Sequence, residues 1–161
     1  MLGICLKFGA WDLVLMKIIN RRAYHDFQIL DRLEAGIKLT GSEVKSVKGG
    51  RIKLEGAFVK IQGSEGYLVN AQISPYPFAR QEDYDPARTR KLLLHKKEII
   101  ALKSKMAQKN LTIVPLSCYT KDNLVKIELG LVKGKKKWEK REAKKRRDLE
   151  REVERELRGK I

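Results

Sequence analysis

Phe27-Gln28-Ile29-Leu30-Asp31-Arg32-Leu33-Glu34-Ala35-Gly36-Ile37-Lys38-Leu39 decides the fold. Its odd positions are apolar except Asp31, and its even positions are mostly polar. That period of two is the signature of a long strand with one buried face, and Gly36 is the expected site of a bulge or bend. Working outward, Thr40 and Glu43 stand three apart, a capping-box pairing that opens a short helix. Val44 and Val47 give that helix an apolar face, and Gly49-Gly50 ends it. Ala57, Val59 and Ile61 alternate next, then the turn Gly63-Ser64-Glu65-Gly66, then Tyr67, Val69, Ala71 and Ile73, which reads as a β-hairpin.

Pro75, Pro77 and Pro86 mark residues 74–90 as a long polar loop. Ile99, Leu102 and Met106 recur at helical spacing and predict an amphipathic helix over 95–108. Val114, Leu116 and Cys118, then Val125, Ile127, Leu129 and Leu131, predict two further strands around a turn at Lys121-Asp122-Asn123. Pro115 restricts the first of these to a sheet edge or a bulge. The expected fold is mainly β, a closed antiparallel barrel over residues 16–131 with helices inserted between the strands.

Past Leu131 the composition changes. In residues 132–161, 14 Lys or Arg stand against 7 Asp or Glu, and Trp138, Leu149, Val153 and Leu157, with the last residue Ile161, are the large apolar groups past Val132. Such a segment cannot offset its ordering entropy by burial and is expected to be mobile alone. Its later part still pairs Asp148 with Arg151 and Glu152 with Arg155 at i, i+3, and Glu142 with Arg146 at i, i+4, so it should be helical when bound to a partner surface.

The whole chain of 161 residues carries 36 Lys or Arg against 20 Asp or Glu, a net charge of +16. Charge of this size attracts polyanions. No apolar run approaches the ~18–20 residues that span a bilayer, so nucleic acid is the expected partner and no membrane is. Residues 1–15 resemble a signal segment, but Lys7 and Asp12 interrupt the apolar run and no small-x-small cleavage site follows. A cytoplasmic location is expected, with Cys5 and Cys118 reduced. Met16-Lys17 is a candidate translation start, which would make residues 1–15 an upstream extension. An N-terminal mass retaining Met1 would refute that.

An enzyme would need convergent groups, and few are available. The two histidines, His25 and His95, lie seventy residues apart. If His25 and Asp26 were in a strand, they would point to opposite faces. The chain has no phosphate-cradling glycine loop, no H-E-x-x-H and no nucleophile elbow. Neither catalysis nor a metal or other cofactor is therefore expected. The cations cluster at Arg21-Arg22, Arg88-x-Arg90-Lys91, Lys96-Lys97 and Lys133-x-Lys135-Lys136-Lys137. Lys96-Lys97 reads as an ordinary solvated helix face. The lysine run from 133 ends on Trp138, and an aromatic beside cations can stack on a base while they hold the backbone.

Six blocks occur in order: Asn20-Arg21-Arg22-Ala23, His25-Asp26-Phe27, Glu34-Ala35-Gly36-Ile37, Glu43-Val44-Lys45-Ser46, Asp85-Pro86-x-Arg88-x-Arg90-Lys91-Leu92-Leu93-Leu94-His95-Lys96, and Gly134-Lys135-Lys136. From residue 16 onward the chain closely resembles the SsrA-binding (small protein B) family, partners of transfer-messenger RNA in trans-translation. The resemblance implies an oligonucleotide-binding barrel that holds the tRNA-like part of that RNA and brings it to stalled ribosomes, with elongation factor Tu reached through the shared RNA. It implies RNA contacts at Asn20, Glu34, Leu93 and Lys126, to which the clusters add Arg21, Arg88, Arg90, Lys91 and Lys133. Read without the family, Glu34 is a strand-edge carboxylate for Arg32 or Lys38, and Leu93 is core.

For the tail, the resemblance implies a segment entering the empty messenger path of the decoding centre. Gly134, Lys135, Lys136, Trp138, Glu139, Lys140 and Arg141 would lie against ribosomal RNA. The family pattern has an aromatic or His and then Asp at these places; Glu139 departs from it by one methylene, and Trp138 offers a larger stacking surface than His or Tyr. Two other functions fit the composition: a ribosome-assembly protein with a basic extension, and an RNA-processing enzyme.

Overall fold

A computed structural model describes residues 16–79 and 84–158. In chain order the elements are β1 (Lys17–Ile19), α1 (Arg21–Asp26), β2 (Phe27–Ile37), α2 (Gly41–Lys48), β3 (Ile52–Lys53), β4 (Phe58–Gln62), β5 (Glu65–Val69), β6 (Gln72–Ile73), β7 (Arg90–Leu93), α3 (Lys96–Lys109), β8 (Thr112–Lys121), β9 (Leu124–Gly134) and α4 (Lys137–Arg158).

The period-two reading of Phe27 to Ile37 holds: Ala35 and Ile37 are buried and Gln28, Leu30, Arg32 and Glu34 are exposed. The irregularity sits elsewhere than expected. The β2–β9 register slips between Ile29 and Asp31, at the residue that breaks the apolar alternation, while Gly36 stays in regular register opposite Leu93 and Lys126. Gly36 serves a close approach instead, since a Cβ there would lie 3.3 Å from Leu93. In α2, Thr40 Oγ1 accepts from the Glu43 N–H at 3.4 Å and Glu43 Oε2 accepts from the Thr40 N–H at 2.9 Å, the reciprocal cap expected from the spacing.

The hairpin of β4 and β5 turns through Gly63, at φ +58°, and Ser64. Its second strand is shorter than the alternation suggests. Asn70 takes a left-handed conformation at φ 61°, which Asn tolerates better than most residues, and redirects the chain. Gln72 and Ile73 then pair with β3 in a separate two-stranded sheet. Asp122 and Asn123 both have positive φ, giving the tight turn that joins β8 to β9. Pro115 sits where the β8–β9 register slips before Ser117, the bulge that its missing N–H requires.

Seven strands form one antiparallel sheet in the order β1-β8-β4-β5-β7-β2-β9, and β8 also pairs with β9. The pairings β8–β4–β5–β7–β2–β9–β8 therefore return to their start. The core between them is built from Val59, Leu68, Leu92, Ile113, Cys118, Ile127 and Leu129, with Val47 of α2 and Leu102 of α3 packed in. β1 and α1 have no counterpart in the sequence reading. Asn20 caps α1, its Oδ1 accepting from the Ala23 N–H at 3.2 Å. His25 and Asp26 are thus helical, and His25 Nδ1 lies 3.0 Å from Asp26 Oδ1, where a strand would have separated them.

β9 runs three residues beyond the expected domain end at 131, so Lys133 and Gly134 belong to the sheet and pair with Gln28 and Phe27. The segment expected to be helical on a partner is the helix α4, steadied by Asp148–Arg151 at 3.8 Å and Glu154–Arg158 at 3.0 Å. The candidate start at Met16 is the first described residue, and the proposed extension, with Cys5, lies outside the described residues.

Candidate RNA interface

Three strands bring a carboxylate, an ammonium and a phenol to one point. Lys126 on β9 stands opposite Tyr119 on β8 and opposite Gly36 on β2, two residues from Glu34. Glu34 Oε1 accepts from Lys126 Nζ at 2.5 Å, and its Oε2 accepts from the Tyr119 hydroxyl. The Lys126 ammonium and then the Tyr119 phenol hold the Glu34 carboxyl below the usual carboxylate range, against a smaller opposing effect of burial. Burial and the neighbouring Glu34 charge push the Tyr119 phenol up, so it keeps its proton and donates. Arg32 is engaged elsewhere, by Glu128 at 3.2 Å, so Glu34 is a cross-strand acid rather than the local partner of Arg32.

Beside this triad lies a shallow groove of about 290 Å³ whose lining includes Gly36, Val44, Leu93, Leu124 and Lys126. Leu93 is 58% exposed and Leu124 63% exposed. Leu93 is therefore surface, against its plain reading as core: β7 alternates, burying Arg90 and Leu92 and turning Leu93 outward. The result is an apolar floor with an acceptor and a cation at its edge. A carboxylate accepts from ribose hydroxyls or base amino groups, which phosphate cannot offer, and the ammonium takes a phosphate.

Two expected RNA contacts lie inside the protein. Arg90 has no exposed side-chain surface. Its Nε donates to Glu43 Oε1 at 2.9 Å, and its other nitrogens donate to the carbonyls of Ala71, Arg88 and Pro86. Asn20 is also buried, and its Nδ2 donates to the carbonyls of Leu54 and Pro115, both at 2.9 Å. Both residues fasten distant segments together and leave no group for a ligand. Arg88 is shared: about a third of its side chain is exposed, yet Nε and Nη2 donate to Glu43 at 2.8 and 2.5 Å. Burial alone would push the Glu43 carboxyl up, but Arg88, the Thr40 N–H and Arg90 bring it down to about 2.

The remaining cations stay accessible in differing degree. Arg21 and Lys133 are exposed. Lys91 is half-exposed and paired with Glu65, which also accepts from the Tyr67 hydroxyl at 2.6 Å. At the junction with the tail, the Lys135 N–H donates to Asp26 O at 3.0 Å and its Nζ to Tyr24 O at 3.1 Å. Glu139 Oε2 accepts from the Lys136 N–H at 2.9 Å, and Arg141 is exposed. Gly134 closes β9 at the surface. The side chains of Trp138 and Lys140 lie outside the described residues.

Sequence reasoning missed Tyr119 and Leu124. Only the β8–β9 register aligns Tyr119 with Lys126, although an apolar residue directly after a turn, as Leu124 is, was a visible signal. Among the described residues no group of His, Cys, Asp and Glu could hold a metal ion, and no helix is long and apolar enough to cross a membrane.

Comparison with known proteins bears directly on this arrangement. The SmpB protein family model matches residues 17–159. An SsrA-binding protein of Sulfurihydrogenibium is 52% identical over 142 residues, covering 88% of this chain and 93% of that protein. One of Carboxydothermus hydrogenoformans is 52% identical over 123 residues, covering 76% and 83%. A solved chain described under "tmRNA-SmpB: a journey to the center of the bacterial ribosome" is 46% identical, covers 75% of this chain and 85% of its own, and superposes with a TM-score of 0.64. On a match that spans every strand and the whole of the tail helix, the chain belongs to the SmpB protein family.

Proposed function

We propose that this chain is a non-enzymatic adaptor that binds the tRNA-like domain of transfer-messenger RNA and delivers it to stalled ribosomes for trans-translation. The observation that carries this reading is the Glu34–Lys126–Tyr119 cluster beside the exposed Leu93 and Leu124. An uncovered apolar groove edged by a hydroxyl-accepting carboxylate and a cation suits a folded RNA, not bulk polyanion. The relatives named for SsrA binding, and the solved relative described with tmRNA and the ribosome, support the same partner.

On this reading the ring of six strand pairings is a closed barrel of the oligonucleotide-binding type, with Arg21, Glu34, Lys91, Leu93, Lys126 and Lys133 on or near its RNA face. Arg88 keeps a lesser share through its exposed part, and Asn20 and Arg90 act from within by holding the frame. The basic start of α4, from Lys135 and Lys136 through Lys140 and Arg141, enters the empty messenger path at the decoding centre. Elongation factor Tu is met through the shared RNA, and the work is done in the cytoplasm, where the ribosomes are.

Ending the chain at Gly134 tests the division of labour. The shortened protein should bind the tRNA-like RNA nearly as the full chain does, yet fail to support peptide tagging on stalled ribosomes. Equal loss of both activities would contradict the split.

A further inference from the structure

Phe78 is 88% exposed, far more than any other large apolar residue described in this protein. The turn that carries it is held in place. Pro75 and Pro77 restrict the backbone on either side of Tyr76, and the Ala79 N–H donates to Tyr76 O at 3.0 Å to close the turn. The Tyr76 and Phe78 rings meet edge to face with centroids 5.6 Å apart. Lys45 Nζ on α2 lies 5.5 Å from the Tyr76 centroid, which ties the turn to that helix. The loop is clamped at its base as well: the Ser74 N–H donates to Arg51 O at 3.0 Å, and the Tyr84 hydroxyl to Ile73 O at 2.9 Å.

The ring is thus presented to solvent on a backbone already held, so a partner covering it would order little more than the side chain itself. The exposed charges of the neighbouring helix α2 and of Arg51 beyond it are cations. Lys45, Lys48 and Arg51 are exposed, whereas Glu43, the acid of α2, is turned inward and paired with Arg88 and Arg90. One ring and part of a second fall far short of the roughly 1,200 Å² that a stable protein interface buries. A single ring is the right size to stack on one nucleobase. The helix α2 relates the two places: its Val44 lines the groove described above, and the next residue, Lys45, lies over Tyr76 of the turn.

We propose that Phe78 stacks on an unpaired base of the same transfer-messenger RNA, while Lys45 and Lys48 hold the adjoining phosphates, making a second contact across α2 from Leu93. This rests on the RNA-binding reading of the preceding section and adds a site to it.

The test titrates the full-length protein with the tRNA-like fragment of transfer-messenger RNA over a series of salt concentrations. Phe78→Ala and Phe78→Leu should each weaken binding about tenfold, the scale of one base stack. Phe78→Trp should restore it, because Trp stacks and Leu does not. The slope of log affinity against log salt should be unchanged in all three, and the thermal midpoint unmoved, because no charge and no buried contact is lost. Lys45→Ala should instead flatten the slope by about one. Wild-type affinity in Phe78→Ala, or full rescue by Leu, would overturn the stack. So would unchanged RNA binding combined with lost association with ribosomes, which would assign the ring to another partner. Lys126→Ala serves as the control: if it weakens binding and Phe78→Ala does not, this inference alone fails. If neither variant differs from wild type, the RNA face itself fails.

Discussion

Glu43 on α2 and Arg90 on β7, forty-seven residues apart, are joined by a 2.9 Å hydrogen bond where neither side chain reaches solvent. Because Arg88 binds the same carboxylate and Arg90 also holds three backbone carbonyls, this one acid fastens α2 to the base of the loop that follows Ile73. Its carboxyl stands at about 2 in the folded chain against an ordinary 4.5. The sign follows: a depressed folded value contributes stability that is fully present above about pH 4.5 and is lost as pH falls toward 2. Glu43→Gln should remove on the order of 3 kcal/mol at neutral pH and flatten the acid limb of the stability curve, measured by denaturant unfolding from pH 7 to 2.

Tyr119→Phe removes one of the two donors that orient the Glu34 carboxylate while leaving its volume nearly unchanged. Affinity for the tRNA-like RNA should fall severalfold with an unaltered salt slope, since the lost group is neutral. Lys126→Ala should weaken binding and also flatten the slope by about one, as expected for one phosphate neutralised. Titrations of both variants at several salt concentrations separate the two roles.

Cys118 has no exposed surface, and burial pushes its thiol up to about 12. Since the thiolate is the reactive species, iodoacetamide at pH 8 should leave Cys118 unmodified in the native protein and alkylate it fully in denaturant. Peptide mapping by mass spectrometry resolves this site from Cys5.

Gly130 on β9 passes directly over Leu116, and an added Cβ would meet three of its side-chain carbons at 2.8 to 3.0 Å. Gly130→Ala should cost about 1–3 kcal/mol by overpacking. Combining it with Leu116→Ala should cost less than the sum of the two single changes, because the second makes room for the first. Chemical denaturation of the four proteins closes the cycle.

What could be read in advance follows from how each element is stabilised. β2, β4 and the first half of β9 each bury one face over five residues or more, so a period of two is visible in their residues, whereas β8 is buried on both faces from Ile113 to Cys118 and is marked by its apolar content instead. β1, α1 and the β3–β6 pair are two to six residues long, below the length at which any period can be seen. Their order comes from Asn20, Leu54 and Ile73 meeting groups far along the chain. The site divides in the same way. Glu34, Leu93 and Lys126, which the family resemblance singles out, lie close together at the surface, but Arg90 is internal, and a guanidinium in a basic cluster carries no mark of its burial. Glu43 decides that, and it lies on another element. Tyr119 became a member of the cluster only through strand register.

No slack separates the sheet from the tail. Gly134 still pairs with Phe27, α4 begins at Lys137, and the N–H groups of the two residues between are both tied down, Lys135 to Asp26 and Lys136 to Glu139. A helix of 22 residues rises about 33 Å. Such a junction works less like a tether than like a caliper arm, whose tip stands at a set span from whatever the body grips. Inserting a single residue in the first turn of α4 would both lengthen that span and rotate the Leu149–Val153–Leu157 stripe by about 100°, so the phase of the tail, and not only its charge, should matter.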